Sequence, residues 1–151
     1  RTGDVGPAGL AAVVLVLLVQ AAALSELLTT APGAALAGAA VVTSRHTLAW
    51  CCRVGVPAAR PEGLGATVAG TVAPRYAVGS TLVLAALAGA AIQPLGMPWW
   101  AGPVAVVVGI LAALTIVGRA RRRLGGVTGD ILGASVELSL TAALVAATVL
   151  H

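Results

Sequence analysis

Arg45 and His46 stand side by side inside an apolar run that extends from about Ala34 to Cys52. Arg53 marks the polar end of that run, so the pair lies seven or eight residues in, about 10 Å deep at 1.5 Å per helical residue. A guanidinium in hydrocarbon costs at least about 2.5–3.5 kcal/mol, and such cations usually face a bundle interior or a polar cavity. Arg45 therefore has two readings: a cation that lines a site, or a long side chain that snorkels to the headgroups. His46 is a candidate proton acceptor at the same depth.

A second group of residues is Arg119-Ala120-Arg121-Arg122-Arg123-Leu124-Gly125-Gly126-Val127-Thr128-Gly129-Asp130. Thr128 is suited to cap a helix starting there, because its hydroxyl can accept from a first-turn N–H. Gly125, Gly126 and Gly129 free the backbone just ahead of a helix N-terminus, where N–H groups and the dipole favour anions. Arg121, Arg122 and Arg123 offer bidentate phosphate contacts, although an arginine run after a span also serves simply to set topology. Asp130 would repel a phosphate at the same helix start unless a divalent cation lies between them. Mg²⁺ fills that role elsewhere, bridging one or two carboxylates to phosphate oxygens. The stretch is neither a Walker A loop, since Gly-Lys-Ser/Thr is missing, nor a dinucleotide fingerprint, since no strand precedes it.

Glu137 follows Asp130 by seven residues, two helical turns, and Thr141 continues the same stripe. A buried Glu137 needs a partner, and Arg45 comes from the same leaflet at about the right depth. Such a pair would be the polar wall of a site or a purely structural contact. The third group is Arg60-Pro61-Glu62-Gly63-Leu64-Gly65, where Pro61 fixes the backbone ahead of a carboxylate and the glycines permit close approach. On its own, this group is equally an ordinary charged loop.

The elements that must position these residues follow from composition. Of the 151 residues, 59% are hydrophobic and 9% charged, whereas a soluble domain averages about 25% charged. This excludes a soluble enzyme and a disordered tail. The sequence predicts an all-α polytopic membrane bundle of about five spans, over residues 9–28, 34–52, 76–92, 103–117 and 131–150. Residues 53–75 and 118–130 form loops on one side. Gln93 to Trp100 is a tight connection whose paired Trp suit the membrane interface, and Glu26 is interfacial at the far end of the first span.

All nine basic side chains are arginine. With the N-terminus in the cytoplasm, Arg1, Arg53, Arg60, Arg75, Arg119, Arg121, Arg122 and Arg123 fall inside and none falls outside, as the positive-inside rule requires. The basic balance lacks the stacking aromatics of a nucleic-acid surface, so nucleic acid is not an expected partner. Cys51 and Cys52 have no further cysteines to pair with and read as small apolar residues. No cleavable leader is visible.

Three motifs then carry a family resemblance. Leu124 to Ala134 with Glu137-Leu138, Ala59 to Gly65, and Asp4-Val5-Gly6-Pro7-Ala8-Gly9 resemble, in order, segments of the adenosylcobinamide-GDP ribazoletransferases, or cobalamin synthases. The resemblance implies a multi-pass enzyme of the bacterial inner membrane. Such enzymes join α-ribazole or its 5′-phosphate to adenosylcobinamide-GDP and release GMP, with Mg²⁺ as cofactor.

It implies Asp130 as metal ligand, and Arg60 and some of Arg121 to Arg123 on phosphates beside Gly125, Gly126 and Thr128. Arg45 and Glu137 would be the polar wall, and Glu62 or His46 the base for the ribazole hydroxyl. Partners would be those substrates and the bilayer, with room for a homo-oligomer. Family members also carry an aspartate-rich motif upstream. Only Asp4 and Asp130 occur here, so the expectation is that a first part of the family protein lies outside this chain and that the chain alone is inactive. The alternative is a small-solute transporter or channel subunit with Arg45, Glu137 and Asp130 along its path, against which the absence of an internal repeat weighs.

Overall fold

A computed structural model describes residues 6–151. Arg1 and Asp4 lie outside the described residues. The helices are α1 (Pro7–Leu27), α2 (Ala31–Cys51), the short α3 (Leu64–Val68), α4 (Pro74–Ile92), α5 (Ala101–Leu124) and α6 (Gly129–Leu150), with a 3₁₀ turn at Gln93–Leu95. Among the described residues no β-strand forms, only two isolated parallel bridges. Four helices, α1, α4 with its 3₁₀ turn, α5 and α6, are long and apolar enough to cross a membrane. The chain is thus an all-α, multi-pass bundle. The fifth long helix, α2, has the same 21-residue length as α1 but carries Thr43, Ser44, Arg45, His46 and Thr47. It packs centrally, against α1, α4, α5 and α6.

Helix ends differ from the sequence expectation for identifiable reasons. Ala31-Pro32-Gly33 reads as a breaker, yet it forms the first turn of α2. Proline is tolerated there because its missing N–H has no intrahelical acceptor to lose, and the Thr30 hydroxyl accepts from Gly33 N at 3.2 Å. α5 continues to Leu124 instead of stopping at Val117. Arginine is a good helix former, and Arg121, Arg122 and Arg123 occupy the last turn, where cations oppose the negative end of the dipole.

Small residues let the helices approach closely, which drives association when lipid is as apolar as the side chains. A Cβ added at Gly102 would lie 2.6 Å from the carbonyl carbon of Ala88, and one at Gly109 3.1 Å from the Ser139 hydroxyl. These two contacts fix α5 against α4 and α6. Core side chains gather in three groups: Leu27, Leu36, Ile92 and Leu144 at one end, Val106 and Ile110 with Ala88 in the middle, and Cys51, Val56, Val117, Val127 and Leu132 at the other.

α1 is an exception to this packing. Only Gln20, Ala23 and Leu27 of its residues are buried, and Leu10, Val13, Leu15, Leu17 and Leu18 are all more than half exposed. At the α1 end of the bundle where Leu27 lies, Thr30 and His151 hydrogen-bond. At the opposite end the 52–73 connection folds back on the α5–α6 turn. There Val54 N donates to Val72 O at 2.8 Å, and Val72 N to Cys52 O at 3.1 Å.

Candidate functional site

The site is assembled where the 57–65 segment meets the turn between α5 and α6. Val127 N donates to Pro57 O at 2.9 Å and Ala59 N donates to Val127 O at 3.0 Å, one ladder step that ties the two loops together. Two glycines make this approach possible. A Cβ at Gly126 would sit 2.7 Å from Ala59 N and closer still to Pro57 O, and one at Gly65 would sit 2.6 Å from Val127 O. Both contacts are to backbone, which cannot rotate out of the way. Gly125 adopts φ +81° just after α5, a left-handed turn that glycine makes without a Cβ penalty.

Thr128 caps α6, its hydroxyl accepting from Ile131 N at 3.3 Å. Asp130 falls in the first turn, where a carboxylate is stabilised by the positive end of the helix dipole. The docked loops enclose a cleft of about 110 Å³ lined by Arg60, Glu62, Gly63, Gly65, Thr128 and Asp130 among others. A guanidinium and two carboxylates from two distant segments thus share one solvent-reached cleft at the mouth of a helix N-terminus. Arg60, Glu62 and Asp130 are all exposed.

Other sequence-derived site residues lie elsewhere. His46 faces α4, with Nε2 2.8 Å from the Thr81 hydroxyl, which also accepts from Trp50 Nε1 at 2.9 Å. Arg45 is exposed on α2 and does not pair with Glu137. The Glu137 carboxylate instead accepts from Gln20 Nε2 of α1 at 3.0 Å, and the same amide reaches the Thr141 hydroxyl at 3.0 Å. The Arg45–Glu137 pair is therefore corrected to a Gln20–Glu137–Thr141 network. Arg121 and Arg122 line a separate surface hollow with Gly118, and Arg123 a groove with Arg119. None of the three lines the cleft.

Gln20 was missed in sequence, although its signal was there: a lone amide within an otherwise apolar run. The seam between α2 and α6 is closed, with Thr47 and Ser139 fully buried and 2.9 Å apart. It gives no support to a solute path.

The model of the cobalamin-5-phosphate synthase family matches residues 1–148. The chain belongs to the cobalamin-5-phosphate synthase family. Similar proteins include the adenosylcobinamide-GDP ribazoletransferase of Nocardioides sp., 45% identical over 146 residues, covering 97% of this chain and 53% of that protein. The protein of the same name from Frankia casuarinae is 39% identical over 149 residues, 95% of this chain and 54% of the relative. The Escherichia coli protein of that name is 38% identical over 139 residues, 91% of this chain and 54% of the relative. The chain spans about half the length of these curated relatives. No solved structure matches it.

The family membership bears on the geometry directly. Two of the three motifs that resemble cobalamin synthases, Ala59 to Gly65 and Leu124 to Ala134, lie in segments whose backbones bond to each other. Among the described residues no cluster of three or more His, Cys, Asp or Glu forms. The donor on the cleft is the Asp130 carboxylate, with Glu62 on the same lining. That suits Mg²⁺, which keeps several waters and takes one or two carboxylates together with substrate phosphates.

Proposed function

We propose that this chain carries the phosphate-handling part of an adenosylcobinamide-GDP ribazoletransferase active at the cytoplasmic face of the bacterial inner membrane. The observation that carries the reading is the convergence of Arg60, Glu62 and Asp130 on one cleft at the arginine-bearing end of a cobalamin-5-phosphate synthase family member. The substrates would be adenosylcobinamide-GDP and α-ribazole or its 5′-phosphate. The ribazole hydroxyl oxygen bonds to the phosphorus that bears the corrinoid side chain, the pyrophosphate bridge breaks, and GMP leaves with the electron pair.

Each cleft residue has a role suited to its charge. Arg60 presents a planar fork of donors to pyrophosphate oxygens and holds them in register. Asp130 would hold Mg²⁺, which supplies charge neutralisation at the phosphoryl oxygens when bound. Glu62 accepts the proton from the ribazole hydroxyl, a role that requires hydrogen-bond reach, and is favoured over His46 because it lines the cleft whereas His46 bonds to Thr81 of α4. Gly63 and Gly65 keep side chains off the floor of the cleft, so that phosphate oxygens can approach backbone.

The test uses the full-length protein that contains this sequence, in membranes, with adenosylcobinamide-GDP, α-ribazole and Mg²⁺. Asp130→Asn and Glu62→Gln should each lower turnover on the order of 10²–10³-fold, the scale for losing a group that acts on transition-state charge, while insertion is unchanged. Chelation of Mg²⁺ should abolish turnover in the wild type. Full activity in Asp130→Asn would remove Asp130 from the site.

A further inference from the structure

The structure separates two of the arginines from the cleft and gives them an amphiphilic setting of their own. Arg119 and Arg123 are one helical turn apart on α5 and line a groove of about 230 Å³ with Ile116, Ala120, Leu124 and Ile131 of α6. Both arginines are exposed, and neither guanidinium has a hydrogen-bond or carboxylate partner among the described residues. A cation pair over an apolar floor fits a ligand that is anionic at one end and hydrocarbon at the other.

Depth narrows the choice. α5 begins at Ala101, directly after the paired Trp99 and Trp100, residues that favour the interface. Counting 1.5 Å per residue from Ala101 puts Arg119 about 27 Å and Arg123 about 33 Å along the axis. The hydrocarbon core is about 30 Å thick. The two guanidiniums therefore bracket the opposite headgroup boundary, with Ile116 below them in the acyl region. A free phosphate would meet the charges but make no use of the apolar side chains that line the same groove. A phospholipid satisfies both ends.

We propose that the α5–α6 groove binds an anionic phospholipid, its phosphate held by Arg119 and Arg123 and its acyl chain entering past Ile131 and running down along Ile116. Basic pockets between membrane helices at the cytoplasmic side recognise such headgroups, and arginine forks match phosphate oxygens bidentately. The proposal concerns a surface outside the Arg60–Glu62–Asp130 cleft and is independent of the transferase reading.

The experiment reconstitutes the full-length protein into phosphatidylcholine vesicles with or without phosphatidylglycerol, and reads thermal stability and the number of lipids retained on gentle extraction. Phosphatidylglycerol should raise the Tm of the wild type and of Arg121→Gln/Arg122→Gln. In Arg119→Gln/Arg123→Gln the Tm rise should vanish and retained phosphatidylglycerol fall on the order of tenfold. Equal loss in both double variants, or none in Arg119→Gln/Arg123→Gln, overturns the proposal. Inorganic phosphate added to phosphatidylcholine vesicles should give no rise, and a rise equal to that of the lipid overturns it as well. Photo-crosslinkable phosphatidylglycerol on the unsubstituted protein provides a readout free of folding effects. Crosslinks should concentrate on residues 116–124 and around Ile131, and an even spread over all lipid-facing helices refutes the assignment.

Discussion

Gly126→Ala tests the loop docking that builds the cleft. By conformational entropy alone the change would be favourable, since removing glycine freedom from the unfolded chain stabilises by about 0.4–1 kcal/mol where the backbone tolerates Ala. The φ of Gly126 is not positive, so the backbone itself raises no objection. Space decides the sign. The new Cβ would lie 2.5 Å from Ala58 C and 2.7 Å from Ala59 N, and relief requires the 57–59 backbone to withdraw. Withdrawal breaks the Val127 N to Pro57 O and Ala59 N to Val127 O bonds, each contributing about 1 kcal/mol net.

The docked state should therefore be destabilised by about 2 kcal/mol from the bonds, less the entropic gain and with an added overpacking cost of about 1 kcal/mol or more. A net of about 2 kcal/mol corresponds to roughly a 30-fold change in local opening. Hydrogen exchange at the Ala59 and Val127 amides, read in detergent or nanodiscs, should accelerate by that factor, and turnover of the full-length protein should fall with it. Gly79→Ala is the matched control: it lies inside α4 with nothing within 4 Å of the added Cβ, so protection at Ala59 and Val127 should be unchanged. Wild-type exchange at both amides in Gly126→Ala would refute the idea that glycine is required for this contact.

Other outcomes follow from the same contacts. Thr128→Ala removes the hydroxyl that caps α6 and should lower unfolding stability by about 1 kcal/mol, measured by thermal or denaturant unfolding. Gln20→Leu leaves the Glu137 carboxylate without its amide donor and should cost about 1–3 kcal/mol. The double variant Gln20→Leu/Glu137→Leu should recover most of that loss, and a strictly additive double-mutant cycle would show that the contact is not energetically coupled. Gly65→Ala, which would gain about 1 kcal/mol if helix propensity governed α3, should instead destabilise the loop, because Val127 O lies 2.6 Å from the new Cβ.

The sequence was most legible where local chemistry decides structure. Thr128 as a cap and Gly125 as a turn depend on neighbours within a few residues, and the structure bears these features out, whereas the stretch 53–75, read as a loop, holds the short α3 and gives its last residues to α4. Which faces of the spans meet was not legible. Gln20 of α1 and the Asp130–Glu137–Thr141 stripe of α6 mark one face of each helix, but the largely apolar remainder meets lipid and protein with the same residue types, so the partner of each face was not announced. Depth alone allowed Glu137 to meet Arg45, but Gln20 reaches it instead.

The arginine run shows the same limit from the other side. Composition and position suggested one cationic patch beside the glycine turn. A helix through Leu124 distributes Arg119, Arg121, Arg122 and Arg123 around its circumference, and none of them lines the cleft that Arg60 lines. The docking of residues 57–65 on the α5–α6 turn depends on close backbone approach between segments some seventy residues apart, and the glycines of both motifs were the only local trace of it.

The central position of α2 has a consequence for how the protein is made. It is the long helix that falls short of the four apolar enough to span by composition, yet it touches every other long helix of the bundle. A segment with an arginine, a histidine and three hydroxyl side chains in succession partitions poorly from the translocon on its own. Thr43 and Ser44 bond back to carbonyls of α2 itself, but Thr47 and His46 also reach Ser139 of α6 and Thr81 of α4, which emerge from the ribosome later. Lateral release of α2 into the bilayer is therefore expected to be favoured once α4 and α6 are present to pack against it.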